Sequence, residues 1–499
     1  MNSHLVLLPI IIPLTGAAVG LMAWRWPRVQ RAWSFGTLLT SFAATIALLA
    51  AVWGDGPVVL QMGGWAAPFG ISLVADLLGA TMALMAQGVL VTGMVYALGC
   101  RDKCVSFPAF MPVFLTLTTG LTGTFLTGDI FNLFVFAELL VSSGAVLTAI
   151  SDDRNGAEAA YKYFFISLFA AIFLLSAIGG LYVSYGTLNM ADLGQRILQL
   201  ARDGAAMPPL HYMAMVLMFV FFMVKSAVVP LHFWQPDFHT AAPTPISAML
   251  SSVVVKVGVY GFLRMTTLLF VPQAGTLRGL LVVLGVAGLI FGGLTALGTH
   301  NAKRMLAYST LAQIGYILVG IGWGTPVAIA AAIVLAVNHS LIKAAMLMLA
   351  GAVASRAPIK SAAFSNITGV GKSLPAMGAL FLLGGLALAG IPPTNGFIGK
   401  LSLFRSGVLA ADYVALAVVG FASILTLVYV VRAFQLIWWV PPAEGVYAKP
   451  SGDRLLAPAL LVGLCLLLGL WAEPLLRLAG DISAWLGDPA LYIAAVLGG

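Results

Sequence analysis

Charge is what this chain has least of. Asp, Glu, Lys and Arg make up 8% of its 499 residues, where a soluble domain carries about a quarter. With 61% of residues apolar and a mean hydropathy of +1.02, no ordinary water-facing surface can be drawn from this inventory. Nor is any hydrophilic stretch long enough for a soluble domain. The longest polar interval, from about Gly186 to Pro209, is expected to be a loop.

Cysteine is scarce as well. Cys100 and Cys104 flank a short basic loop and Cys465 lies in a late apolar run. No second pair or nearby histidine completes a zinc site, so all three read as small, reduced core residues. There is no cysteine set for an iron–sulfur cluster and no dinucleotide fingerprint. No cofactor is expected, and any redox chemistry has to reside in a partner. The basic pI of 9.4 comes without dense basic clusters or interleaved aromatics, which excludes nucleic-acid binding. The N-terminus turns apolar almost at once and lacks a basic leader and a small-residue cleavage site, so no removable signal is expected.

What the chain does have is apolar runs. A helix needs about 20 such residues to cross about 30 Å of hydrocarbon. By that measure about fourteen spans are expected, near 4–24, 32–53, 71–98, 107–127, 129–150, 161–185, 212–233, 243–265, 277–299, 303–322, 326–354, 373–408, 409–440 and 456–478. The fold class is therefore an all-α polytopic membrane protein. The stretch after Asp481 is weakly apolar and is expected at the membrane interface. Lys and Arg collect in alternate connections: Arg25, Arg28, Arg31, Arg101, Lys103, Arg154, Lys303, Arg304, Arg356, Lys360, Lys372, Lys449 and Arg454 on one side, against Arg196, Arg202, Arg278 and Arg477 on the other. Positive charge marks the cytoplasmic face, so both termini are expected outside the cytoplasm.

A few charges sit alone inside these runs: Glu138, Lys225, Lys256, Lys343 and Lys400. Each costs at least about 2.5–3.5 kcal/mol at mid-membrane on insertion scales, and such residues mark ion or proton routes. Two spans also contain helix-breaking proline. Pro230 follows Lys225, and Pro392-Pro393 precede Lys400. Proline removes a backbone donor, and the freed groups must then face protein or water. The breaks fall in the seventh and twelfth spans, five apart. That placement points to two inverted five-helix repeats, spans 4–8 and 9–13, with the transport path between them. The expected organisation is N-terminal helices at 1–106, a first repeat with a proton half-channel at 107–265, a second repeat at 277–440, and a C-terminal helix and tail at 441–499.

The stretch KSAVVPLHFWQPDFHTAAPTPISAMLSSVVVKVGVYGFLR (Lys225–Arg264) resembles the signature of the proton-translocating antiporter-like membrane subunits. That family includes the large membrane subunits of respiratory complex I and the A-type and D-type subunits of Mrp-type multisubunit cation/proton antiporters. LAYSTLAQIGYIL (Leu306–Leu318), NHSLIKAAMLMLAG (Asn338–Gly351) and GIPPTNGFIGK (Gly390–Lys400) match it too. TGDIFNLFVFAELL (Thr127–Leu140) and YGTLNMADL (Tyr185–Leu193) look most like the Mrp D-type subunit, as does the length. The resemblance implies proton translocation through Glu138, Lys225, Lys256, His339, Lys343 and Lys400. It further implies a bacterial cytoplasmic (inner) membrane location, partner subunits including an antiporter-like A-type subunit and small subunits, and protons exchanged for a monovalent cation, sodium first. A lysine at position 400 departs from the complex I paralogues that carry glutamate there.

Removal from water disfavours the ammonium form of lysine, whereas a nearby carboxylate restores it. A Glu138–Lys225 pair is therefore expected to control the proton affinity of Lys256. Its bland alternative is an ion pair that merely locks two helices. Lys343 could instead snorkel to an interface, and His339 could simply bridge helices. His232 and His239 flank the cytoplasmic entrance and are expected either to gate proton uptake or to satisfy loop backbone. His4, His211 and His300 read as interfacial. The hydroxyls of Ser226, Thr244, Ser247 and Ser251 are expected to bond mostly to their own helices. Asp76 and the backbone carbonyls at the helix breaks are weak candidate sodium ligands. The competing function is the pump arm of a redox complex such as complex I or a membrane-bound hydrogenase; a proton-coupled bicarbonate-uptake complex shares the fold.

Overall fold

The computed structural model describes residues 3–150, 154–442 and 445–498. Helices α1 (Leu8–Met22) and α2 (Pro27–Asp55) each open with proline in the first turn, where a missing N–H leaves no bond unmade. A small antiparallel hairpin follows, β1 (Val58–Gln61) with β2 (Ser72–Ala75), pairing Val58 with Ala75 and Gln61 with Ser72. The third span was expected from residue 71, but residues 72–75 are strand. Hydropathy alone does not separate a short buried strand from a helix, and the helix has its own start signal one residue later. Asp76 accepts a hydrogen bond from Gly79 N at 2.8 Å and so caps α3 (Leu77–Gly99).

Helices α4 (Phe110–Leu126) and α5 (Ile130–Ala149) are joined by the Thr127–Asp129 turn, whose Asp129 caps α5 through Asn132 N at 2.8 Å. The turn is tied on both sides, Thr127 to Leu73 and Asp129 to Asn189. Helix α6 (Arg154–Tyr185) turns Tyr161, Phe165, Phe169 and Ile172 outward. The interval expected to be a loop contains α7 (Met190–Arg202), capped by Asn189 and amphipathic. Met190, Leu193 and Ile197 face inward while Arg196 pairs with Asp192 at 3.0 Å. An amphipathic helix reads as polar in a hydropathy scan because half its surface is polar.

The seventh expected span is broken. Helix α8 (His211–Lys225) ends at the lysine, and the chain resumes helix only in α9 (Trp234–Ala241). The next stretch is one continuous helical rod, α10 (Thr244–Met249) and α11 (Lys256–Arg264), with a π-helical turn before α11 (Leu250–Val254) and another after it (Met265–Leu269). Then come α12 (Ala274–Gly298), α13 (Ala302–Trp323), α14 (Pro326–Arg356) and the short α15 (Phe364–Ile367). The twelfth expected span divides into α16 (Pro375–Ala389) and α17 (Asn395–Leu409) across residues 390–394. Helices α18 (Tyr413–Phe434), α19 (Leu456–Leu470), α20 (Glu473–Leu486) and α21 (Pro489–Leu497) complete the chain.

The chain is an all-α, multi-pass membrane protein. Among the described residues, nine helical segments are long and apolar enough to cross a membrane, or up to eleven if two pairs, bent by 116° and 79°, each count as one span. Three shorter apolar helices, α1, α4 and α8, stand where the first, fourth and seventh spans were expected. Burial then sorts the segments. The rod Thr244–Leu269 is 100% enclosed in its most apolar window, α13 94% and α14 83%, against 39% for α2 and 39% for the segment containing α18. The helices carrying Lys256, His339 and Lys343 are thus the centre of the molecule. The C-terminal stretch is packed on the rest of the chain: α20 on α14, α21 on α7, with Tyr492 buried.

Candidate functional site

Lys225, Lys256, His339, Lys343 and Lys400 are all at most 5% exposed. Glu138 is half-buried on α5, with its Oε1 enclosed and unbonded. The expected Glu138–Lys225 ion pair does not form: no ion pair among the described residues joins them, and Lys225 Nζ has no hydrogen-bond partner. The lysine is the last residue of α8, and its ammonium lies 5.2 Å from the ring centre of Phe221 instead. The two groups still act on each other electrostatically across the gap. A helix-locking ion pair is thereby removed as an explanation of these two residues.

Lys256 opens α11 directly after a π-helical turn, a distortion that frequently marks functional sites. Helix α8 approaches closely here, for Ser226 Oγ donates to Val255 O at 3.0 Å. A Cβ on Gly258 would fall 2.0 Å from Ser226 Oγ and 2.4 Å from Phe222 O, so glycine is what permits the approach. Lys256 Nζ is hydrogen-bonded to His339 Nδ1 of α14, and the other ring nitrogen of His339 is buried without a partner. An ammonium donates to a neutral imidazole, and a protonated imidazole donates to an amine. One proton can therefore rest on either residue.

The hydroxyls expected to bond within their own helices mostly bond between elements. Ser226 reaches Val255 O, Ser247 reaches His239 O at 3.0 Å, and Ser251 meets Thr310 of α13 at 2.9 Å. At crowded junctions a neighbouring helix offers an acceptor as near as the preceding turn. Lys343 does not snorkel. Its ammonium is held inside by Ser309 Oγ and, at 2.9 Å, by Leu306 O. Lys400 Nζ donates to Ala389 O, the end of α16, at 2.8 Å, and sits 4.5 Å from the ring centre of Tyr316.

His239 is fully buried with both ring nitrogens unpartnered, while half-buried His232 packs against Phe291. Beside the C-terminal half of α9 opens a cavity of 870 Å³, lined among others by Asp237, Thr240, Lys303 and Arg304. At its wall Lys303 Nζ donates to Ala242 O at 3.2 Å. His211, the first residue of α8, is buried and bonded to Tyr185 Oη at 2.7 Å.

Asp76, the weak sodium-ligand candidate, is paired with a cation of the protein itself. It is 0% exposed and meets Arg264 twice, at 2.6 and 2.8 Å, while also capping α3 and accepting from Trp485 Nε1 at 3.2 Å. The Arg264 guanidinium lies 4.9 Å from the ring centres of both Tyr260 and Tyr492. Carboxylate and cation thus satisfy each other. Arg264 was missed as a candidate, although it is a charge in the same apolar run as Lys256 and the same rule would have found it. Ser309 and Tyr316, which touch Lys343 and Lys400, were missed as well. Their signal is polar side chains recurring at helical spacing in YSTLAQIGY.

A family model described as NADH:quinone oxidoreductase/Mrp antiporter, TM matches residues 127–426. The D component of the Na(+)/H(+) antiporter of Alkalihalophilus pseudofirmus is 32% identical over 99% of each chain. A chain of the Mrp complex from Dietzia sp. DQ12-45-1b superposes with a TM-score of 0.90 at 28% identity, covering 100% of both chains. A chain of the membrane-bound sulfane sulfur reductase, an archaeal respiratory membrane complex, superposes with a TM-score of 0.89 at 28% identity over 99% of this chain and 100% of that one. Lone basic residues buried at broken and distorted helices, together with these matches along the whole length, place the chain in the NADH:quinone oxidoreductase/Mrp antiporter transmembrane family.

Proposed function

We propose that this chain is the D-type subunit of a multisubunit sodium/proton antiporter in a bacterial cytoplasmic membrane, working with other membrane subunits. Protons pass along Glu138, Lys225, Lys256, His339, Lys343 and Lys400, and His232 and His239 admit them from the cavity beside α9. The observation that carries this reading is the Lys256–His339 contact in the most enclosed part of the molecule. Two proton-binding groups share one bond there, with no carboxylate among the described residues ion-paired to either. A second proton on the pair would place two positive charges a hydrogen bond apart, so arrival of one favours departure of the other. The fourteen-span layout, the two inverted repeats and the extracytoplasmic termini belong to the same proposal, supported by the proline breaks and by the loop charges.

The likeness to the archaeal respiratory complex supports a second reading, in which electron transfer in a partner drives the same relay. Purifying the native complex separates the two. Partner subunits identified by mass spectrometry, with cation-dependent proton movement in vesicles, are expected. Hydrophilic iron–sulfur partners and no cation dependence would establish the redox reading instead.

A further inference from the structure

Helices α13 and α18 each carry a stripe of polar residues along their middle turns. Ser309, Gln313 and Tyr316 recur at i, i+4 and i+7 on α13; Ser423, Thr426 and Tyr429 recur at i, i+3 and i+6 on α18. Such spacings put each set on one helical face. The two stripes meet between Lys343 and Lys400. Ser309 Oγ holds Lys343, and Tyr316 Oη lies 3.5 Å from Lys400 Nζ and 3.0 Å from Ser423 Oγ. Between them, Tyr429 is fully buried and its hydroxyl makes no hydrogen bond among the described residues, although Thr426, Ser309 and Gln313 lie around it. Thr426 also neighbours Tyr316. A buried, unpaired phenol hydroxyl is destabilising, and phenylalanine would fill the same volume without it.

We infer that these facing stripes are the proton segment between Lys343 and Lys400, with the hydroxyls of Ser309, Tyr429, Thr426 and Tyr316 as relay groups. The inference rests on the relay reading above. In one passage the Lys343 ammonium gives a proton to Ser309 Oγ as Ser309 releases its own to Tyr429. Tyr429 passes its proton to Thr426, Thr426 to Tyr316, and Tyr316 to the neutral amine of Lys400. Every oxygen gains one proton and loses one, so no phenolate remains; Lys343 ends neutral and Lys400 charged. Thr426 is the turnstile of this chain. Its hydroxyl donates to Ala422 O at 2.8 Å and must rotate away from it to hand a proton on.

The test uses the complete complex in inverted membrane vesicles, reading cation-driven proton movement with a pH-sensitive dye and quantifying the subunit by immunoblot. Thr426→Val keeps the shape and loses the hydroxyl; Thr426→Ser keeps the hydroxyl and loses a methyl. The relay predicts a loss of about a hundredfold for Thr426→Val and Tyr429→Phe, the low end of general acid–base contributions, with Thr426→Ser close to wild type. A packing role predicts the reverse order for the two Thr426 variants, and that order would overturn the inference even if Tyr429→Phe failed to assemble. Inactive Lys343→Ala beside a fully active Thr426→Val would leave the lysine relay standing and remove the stripe. Wild-type vesicles without cation-driven proton movement would instead overturn the antiporter reading itself.

Discussion

Lys256 and His339 are 83 residues apart in sequence and share a hydrogen bond in the interior, Nζ to Nδ1. Each is at most 1% exposed, so neither can discharge to bulk water without a neighbour. On the proposed relay, Lys256→Ala removes the station itself, and Glu138→Ala and Lys225→Ala remove the groups that set its charge. All three are expected to abolish proton-coupled exchange while the subunit still assembles. His339→Gln keeps a hydrogen-bonding side chain but cannot carry a proton, and it should reduce exchange by about a hundredfold or more. Near-normal transport in any well-assembled variant removes that residue from the route.

Lys400 discriminates between a need for charge and a need for titration. Its ammonium donates to Ala389 O at the open end of α16, and Gly390, at φ 82°, has no side chain to obstruct it: a Cβ there would lie 2.5 Å from the Lys400 stem. A protonated carboxyl can make the same donation and then release its proton. Lys400→Glu is therefore expected to retain more activity than Lys400→Ala. Lys400→Arg should be poor, since guanidinium keeps its proton at any physiological pH. Equal rates for the alanine, arginine and wild-type proteins would exclude Lys400 from proton transfer.

The Asp76–Arg264 pair should matter for stability and not for ion selectivity. Both side chains are enclosed, so removing one partner strands a buried charge, at a cost of about 3–5 kcal/mol. Asp76→Ala and Arg264→Ala are each expected to lower the melting temperature of the detergent-solubilised complex. Replacing both by hydrophobic residues of similar volume should recover much of the loss. Whatever complex assembles should keep its cation dependence. A weakened sodium dependence in a stably folded Asp76 variant would restore this residue as a candidate ligand.

Orientation is tested by reporters. Fusions within residues 356–372 are expected to report from the cytoplasm and fusions after Gly499 from the other side, because the basic connections define the cytoplasmic face. The opposite pattern would exchange the uptake and release sides of the proposed route.

Much of this was open to a reader of the sequence. Lone charges in apolar runs are conspicuous because hydrocarbon tolerates so few, and proline announces a break through its missing donor. The same arithmetic failed where elements are short or two-faced. Residues 72–75 are apolar enough to extend a helix and yet pair as a strand, and α7 is polar enough to pass for a loop while burying Leu193 and Ile197.

What the sequence determined by itself was the solvent and the cast: a chain this poor in charge belongs in lipid, and its interior acid, lysines and histidine are the residues proposed to move a proton there. Tertiary structure decided who meets whom. Glu138 and Lys225 looked like a pair and do not touch; Asp76 looked free and is consumed by Arg264; Lys256 looked solitary and is bonded to His339. Those outcomes depend on helix rotation and on close approaches between helices, such as the one Gly258 permits. Hydropathy measures how much each residue prefers lipid to water and carries no information about the partner on another helix, so pairings between helices become visible only once the helices are packed.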